Sequence, residues 1–417
     1  MWAKFLDRFL SHLVQTGTLC VTFPDGVTRR YGDAGGPAVS VTIHDPAVPR
    51  LLMLDPEVAL GEAYMDGAIT IGDDDINALL ALLMRNMRAG HRGRWQRLRT
   101  ALRGWLRIMV QYNPARRSRH NVAHHYDLSG ALYDLFLDTD RQYSCGYFRS
   151  PTDTLEQAQE QKKAHIAAKL CLRPGMKVLD IGCGWGGMAL TLARAHGVQV
   201  LGITLSQEQL KLARARAVRA GLDGQVRFEL MDYRALDGQF DRIVSVGMFE
   251  HVGAPHFRTY FRTLRERLAP DGLALIHTIG RSSPPGATAR WMTKYIFPGG
   301  YIPAMSEVMA AVEKEGLVAC DVEVWRLHYA RTLRHWHERF LNNIDKARAL
   351  YDDRFCRMWR FYLAASEESF RHAGHCVFQF QLSNHVEAAP LTRDYLHAAP
   401  VTGLDLPTGL PHRDAAE

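Results

Sequence analysis

Long apolar runs are missing from this 417-residue chain: charges or glycines break even the richest stretches short of the roughly 20 residues that span a bilayer. That excludes a membrane-spanning helix, so any lipid ligand has to be reached from the membrane surface. The amino terminus, MWAKFLDRFLSHLVQ, also lacks the uninterrupted core of a signal peptide, because Lys4, Asp7 and Arg8 interleave its apolar residues. It reads as an amphipathic helix. Paired cysteines are absent too. The seven that occur, Cys20, Cys145, Cys171, Cys183, Cys320, Cys356 and Cys376, are scattered, with no CxxC to suggest zinc or a dithiol. No metal is expected, and a reducing cytoplasm fits best. Repeats and low-complexity tracts are likewise missing. With 47% hydrophobic and 23% charged residues, the chain has the composition of one that buries a substantial core, and it is long enough for two domains.

Acidic residues are absent from one long segment. Arg85, Arg88, Arg92, Arg94, Arg97, Arg99, Arg103, Arg107, Arg116, Arg117 and Arg119 occur with no acid among them, although the formal net charge of the whole chain is only +7. Trp95, Leu98, Leu102, Trp105, Leu106 and Met109 recur at helical spacing beside that charge. Arginines next to an apolar stripe favour an anionic membrane interface over a nucleic-acid groove, and no base-binding motif accompanies them. A solvated linker, or a stripe packed against the rest of the chain, would have the same sequence.

What is present divides in two. In the first part TLCVTF and VTRRYG flank Pro24, Asp25 and Gly26 as a hairpin, alternation follows at VSVTI, and helical patterns cover 56 to 66 and 74 to 89. Residues 1–115 are expected to form a small α+β domain with the basic segment as its exit and to be the candidate for lipid or membrane contact. Residues 116–417 are expected to form the catalytic domain. From about 150, helices alternate with the strands KVLDI, QVLGIT, VRFEL, DRIVSVGMF and LALIHTI. Short β-branched runs separated by helices describe a doubly wound parallel sheet covered on both faces, an α/β fold.

KVLDI runs into Gly182-Cys183-Gly184-Trp185-Gly186-Gly187 and a helix, so a glycine-rich turn lies at the carboxyl edge of the first strand, where ligands of such sheets bind. The G-x-G-x-x-G spacing of a nicotinamide site is missing. Asp180 precedes the turn; Thr204, Ser206 and Gln209 follow the second strand; Met231, Asp232 and Tyr233 follow the third. A carboxylate at Asp232 could accept an exocyclic amine, and Tyr233 could flank a purine. This order resembles the class I S-adenosylmethionine-dependent methyltransferases.

More specifically, HHYDLSGALYDLFLD, QYSCGYF, VLDIGCGWGG, GITLSQEQ, SVGMFEHVG, LIHTIG, FPGGYIP and HYARTLRHWHERF resemble the cyclopropane-fatty-acyl-phospholipid synthases and the related mycolic acid cyclopropane synthases. The resemblance is close over roughly 115 to 385 and extends to GEAYMDGAITIGDDDINALL in the first domain. It implies an enzyme that adds a methylene carbon from S-adenosylmethionine across the cis double bond of a membrane phospholipid. Methyl-branched or methylene products of a related lipid C-methyltransferase are the alternative. It further implies that Tyr143 and Ser144 hold the amino-acid end of the cofactor, and that Asp180, Gly182, Gly184, Thr204, Gln209, Asp232 and Tyr233 line the rest. A bound bicarbonate as base would be held by Cys145, Glu250, His277, Tyr329 and the backbone of Ile279. Family members suggest a homodimer, and the lipid substrate implies a cytoplasmic protein attached peripherally to the inner face of the membrane.

The chemistry wants a dry site, because water would capture the carbocation formed on methyl transfer. Aromatic faces can stabilise that charge without reacting. Tyr143, Tyr147, Phe148, Phe249, Trp291, Tyr295 and Phe297 are candidates for such walls, and each is equally compatible with a place in the core.

Overall fold

The computed structural model describes residues 1–33, 35–89 and 129–397. Most of the arginine segment and its apolar stripe, and the boundary expected near 115, lie outside these residues.

The chain begins with helix α1 (Trp2–Leu13), whose Leu6, Leu10 and Leu13 are buried on one stripe while Trp2 and Phe5 remain exposed. Strands β1 (Thr18–Thr22) and β2 (Thr28–Gly32) pair antiparallel around the Pro24-Asp25-Gly26 turn, as the hairpin pattern predicts. Strand β3 (Ala38–Ile43) then pairs parallel with β1, and a short β4 (Ile69–Ile71), not foreseen from the sequence, completes a sheet of order β2-β1-β3-β4. Helices α2 (Val48–Leu54), α3 (Pro56–Met65) and α4 (Ile76–Arg88) accompany it. Asp75 caps α4 by accepting from the Ala78 N–H.

The second part is built on seven strands in the order β10-β11-β9-β8-β5-β6-β7. Strands β5 (Lys177–Ile181), β6 (Gln199–Thr204), β7 (Val226–Leu230), β8 (Phe240–Val246) and β9 (Leu268–Arg281) are parallel. Strand β11 (His375–Ser383) enters antiparallel between β9 and β10 (Val318–Trp325). The parallel strands are apolar on both faces because both are covered. Val178 packs with the helices Leu155–Lys169 and Gly187–His196, whereas Leu179 and Ile181 pack toward the helices Phe257–Arg267 and Met305–Lys314. The expected run DRIVSVGMF stops short at Val246: Gly247 takes φ +72°, and Phe249–His251 form a tight helical turn.

The two parts share one apolar cluster. Leu10, Val21, Ile43 and Leu80 of the first are continuous with Trp291, Leu333, Phe361 and Tyr362 of the second. Polar contacts reinforce the junction: Lys294 Nζ and the Tyr295 hydroxyl both donate to Glu62 Oε1, at 2.5 and 2.6 Å, and Asn77 donates to Glu367 and Glu368 of the helix Asp353–His372. No helix among the described residues is long and apolar enough to cross a membrane.

Candidate active site

The carboxyl ends of β5, β6, β7 and β8 open onto one cleft, the position that a doubly wound sheet gives its ligands. Its lining includes every residue expected of the cofactor site: Tyr143, Ser144, Asp180, Gly182, Gly184, Thr204, Gln209, Asp232 and Tyr233. The glycine turn leads into the helix Gly187–His196, and a Cβ built on Gly184 would meet nothing within 4 Å, so that backbone borders open space. Thr204 donates its hydroxyl to Gln209 Oε1 at 2.9 Å, and both side chains are buried. Asp180 is buried with Oδ2 unpartnered, and desolvation pushes its carboxyl up to about 7. Asp232 accepts from the Arg234 backbone and from its guanidinium at 2.7–2.8 Å, so an arriving amine would share this carboxylate. Tyr233 presents an edge to Tyr260, with ring centroids 5.3 Å apart.

Arg141, Gln142, Trp185 and His251 also line this cleft and were not foreseen. Beneath it lies another residue that sequence reasoning missed. Lys162, in the helix Leu155–Lys169, is fully buried and donates to Gln142 Oε1 at 2.6 Å and to Ser144 Oγ at 2.8 Å. Burial lowers its ammonium to about 8. Lys162→Met would strip both acceptors of their donor, at about 1–3 kcal/mol for each acceptor left unmade. A lower melting temperature and weaker S-adenosylmethionine binding are expected by calorimetry. Unchanged affinity would mean that the Gln142–Ser144 segment does not shape the cofactor site.

A second, larger cavity of about 770 Å³ brings together Cys145, Glu250, His277, Ile279 and Tyr329, which come from four separate stretches of the sequence. The sheet explains the meeting. Val246 and His277 are partners across β8 and β9, and the Gly247 N–H donates to the His277 carbonyl at 2.9 Å, which sets the turn carrying Glu250 beside the end of β9. Glu250 Oε1 accepts the Ile279 N–H at 2.6 Å, while Oε2 is buried without a partner. That N–H therefore already serves the carboxylate, and an anion bound here would share it. Desolvation raises the Glu250 carboxyl to about 7, against the lowering effects of the Ile279 N–H, its own backbone N–H and the neighbouring Thr278 hydroxyl.

Burial pushes His277 well below its ordinary value and the Cys145 thiol well above its own, so both are neutral at physiological pH. Gln379 on β11 holds His277 Nδ1 at 3.1 Å. Tyr329 stands edge-on to Trp336, with centroids 5.8 Å apart. Of the aromatic walls foreseen, Tyr143, Trp291 and Phe297 line this cavity, joined by Phe361, Tyr362 and Phe370. Phe249 belongs instead to the core around Tyr260, and Tyr147 and Phe148 stack on His328. Tyr143, Ser144, Gly247 and His251 border both cavities, so the cleft at the sheet edge adjoins the apolar cavity.

The chain is similar to known proteins over most of its length. The family described as mycolic acid cyclopropane synthetase matches residues 113–380, and a domain of unknown function matches residues 5–92. A probable fatty acid methyltransferase of Pseudomonas putida is 46% identical over 257 residues, covering 60% of this chain and 65% of that protein, just under two thirds of its length. The cyclopropane-fatty-acyl-phospholipid synthase of Escherichia coli K12 is 37% identical over 357 residues, covering 85% of this chain and 90% of that protein. Among solved structures, the mycolic acid cyclopropane synthase CmaA1 complexed with SAH and CTAB superposes with a TM-score of 0.61 at 32% identity, covering 65% of this chain and 99% of that one.

Proposed function

Because the chain belongs to the mycolic acid cyclopropane synthetase family of S-adenosylmethionine-dependent methyltransferases, we propose that it cyclopropanates the cis double bond of unsaturated phospholipid acyl chains at the membrane surface. The observation that carries this reading is the adjacency of two cavities, a cleft at the sheet edge that offers the polar groups of Asp180, Thr204, Gln209 and Asp232, and a larger, more apolar one with room for a lipid chain.

S-adenosylmethionine supplies an electrophilic methyl carbon. An isolated alkene is a poor nucleophile, so the chain's contribution is to hold the double bond close to that carbon and in line with it. Tyr143 and Ser144 border both spaces and are placed to fix the distance between them. The aromatic lining excludes water and faces the carbocation on the acyl chain with π-clouds rather than lone pairs. Burial keeps the Cys145 thiol protonated, which protects it from being methylated in place of the lipid.

Ring closure requires loss of a proton from the new methyl group. Bicarbonate fits the donor set as a base. His277, Tyr329 and the Ile279 N–H can donate to its oxygens, and the unpartnered Glu250 Oε2 can accept its O–H. Lys162 is near enough to act electrostatically on both His277 and Cys145, and it supplies positive charge for an anion there.

The 46% identity to a protein named a probable fatty acid methyltransferase favours a second reading, with a methyl-branched product from the same cavities. Purified protein incubated with methyl-labelled S-adenosylmethionine and vesicles of monounsaturated phosphatidylglycerol is expected to place the label in the acyl chain with loss of the alkene. Label confined to protein, head group or water-soluble product would overturn the lipid reading.

A further inference from the structure

The apolar cavity does not end at the catalytic centre. It continues from Glu250, His277 and Tyr329, past Trp291 and Phe361, into the amino-terminal domain. There it is lined by Leu10 of α1, Val21 of β1, Val41 of β3, and Leu80 and Leu83 of α4. We propose that this domain is an acyl-chain receptacle, which houses the methyl-ward end of the chain whose double bond lies at the catalytic centre. The inference rests on the reaction proposed above and goes beyond surface contact with lipid to a binding site inside the domain.

The occupant follows from how polarity is distributed along the lining. Apart from Glu250 at the catalytic centre, the acidic and basic lining residues, Asp55, Glu57 and Arg281, lie where the start of α3 meets the segment leading to Arg290. Asp55 is ion-paired with the Arg290 guanidinium, and the Arg290 N–H donates to Glu57 Oε2 at 3.3 Å. Beyond that point the lining supplied by α1, the sheet and α4 is aliphatic or aromatic, apart from the thioethers of Met84 and Met87. A glycerophosphate ester placed there would lose its hydration without gaining partners, whereas a hydrocarbon end loses nothing polar. Leu83, Met84 and Met87 of α4 line the cavity and are only partly buried. The total volume, about 770 Å³, lies in the upper part of the roughly 300–1,000 Å³ usual for ligand pockets.

Two measurements on the full chain test this. In the first, phosphatidylglycerol vesicles carry a diazirine at the methyl end of the monoenoic chain, and the sites of photolabelling on the wild-type protein are mapped. Labelled peptides from residues 1–89 are expected. Label confined to residues 129–397 would overturn the proposal, as would label within 1–89 only when the diazirine is on the other acyl chain. This experiment needs no turnover, so it fails independently of the reaction.

The second measurement compares two monoenoic lipids with the double bond at the same distance from the carboxyl but with longer or shorter methyl-ward segments. Leu83→Trp narrows the receptacle and is expected to lower the long-to-short turnover ratio about tenfold or more relative to wild type, since overpacking a filled space is costly. A ratio equal to that of the wild type, in a variant that still binds S-adenosylmethionine, would overturn the proposal.

Discussion

Glu250→Gln is expected to slow product formation about 10²- to 10⁴-fold, the usual contribution of a positioned base, while S-adenosylmethionine affinity survives. The substitution keeps the shape of the side chain. Its carbonyl oxygen can still accept the Ile279 N–H, now made at 2.6 Å by Oε1, but the amide then places a donor where the unpartnered Oε2 offers an acceptor. The wild-type pH profile carries the same signature. Burial holds the Glu250 carboxyl at about 7, so it is protonated below that pH and ionised above it, and kcat should rise as pH climbs through about 7. Asp180 is raised to about 7 as well, but it lines the cofactor cleft, so its titration should appear in KM for S-adenosylmethionine. Rigorous removal of dissolved carbonate should lower wild-type activity reversibly and affect Glu250→Gln only weakly. No response in the wild type would remove bicarbonate from the mechanism, and full activity of the variant would remove Glu250 as well.

Gly184→Val should abolish measurable S-adenosylmethionine binding. Gly184 sits at φ +53° with open cleft where a Cβ would go, so a valine would fill the space proposed for the cofactor. A β-branched residue at positive φ is also strained, and lost affinity could then reflect lost folding. Gly221 separates the two effects. It has φ +63° and nothing within 4 Å of a built Cβ, but it lines neither cavity. Gly221→Val should therefore lose stability to a similar degree yet retain affinity. Equal affinity in the two folded variants would place the cofactor away from the glycine turn.

The parallel strands and the glycine turn were legible because each is a local pattern, a short β-branched run ended by a conformationally distinctive residue. Strand β11 was not. In HCVFQFQLS the apolar residues alternate with Gln379 and Gln381, as in a strand with one wet face, yet both glutamines are buried. Gln379 binds His277, and Gln381 donates to the Lys169 carbonyl, so the polarity is satisfied inside the fold. Lys162 was hidden for a related reason. LEQAQEQKKAHIAAK is too polar to show an apolar face, although Lys162, Lys163 and Lys169 are all buried. Resemblance rather than periodicity singled out Cys145, Glu250, His277, Ile279 and Tyr329; strand order brings Glu250 to His277 and Ile279, while Cys145 arrives from a loop and Tyr329 from the helix His328–Asn342. The passage into the amino-terminal domain had no sequence signal, because the leucines and valines that line a cavity look the same as those that fill a core.

Cyclopropanation itself can be read from the fate of the transferred hydrogens, using S-adenosylmethionine with a trideuterated methyl group, monounsaturated phospholipid vesicles and the purified protein. Ring formation must remove one hydrogen from the transferred methyl. The expected lipid product has lost its alkene and kept two of the three deuteriums, in a cyclopropane resolved by mass spectrometry and NMR. A methyl-branched chain retaining all three deuteriums, with an alkene left by loss of a proton from a neighbouring chain carbon, would show that no proton leaves the transferred carbon, and would contradict a role for Glu250 and its neighbours in ring closure.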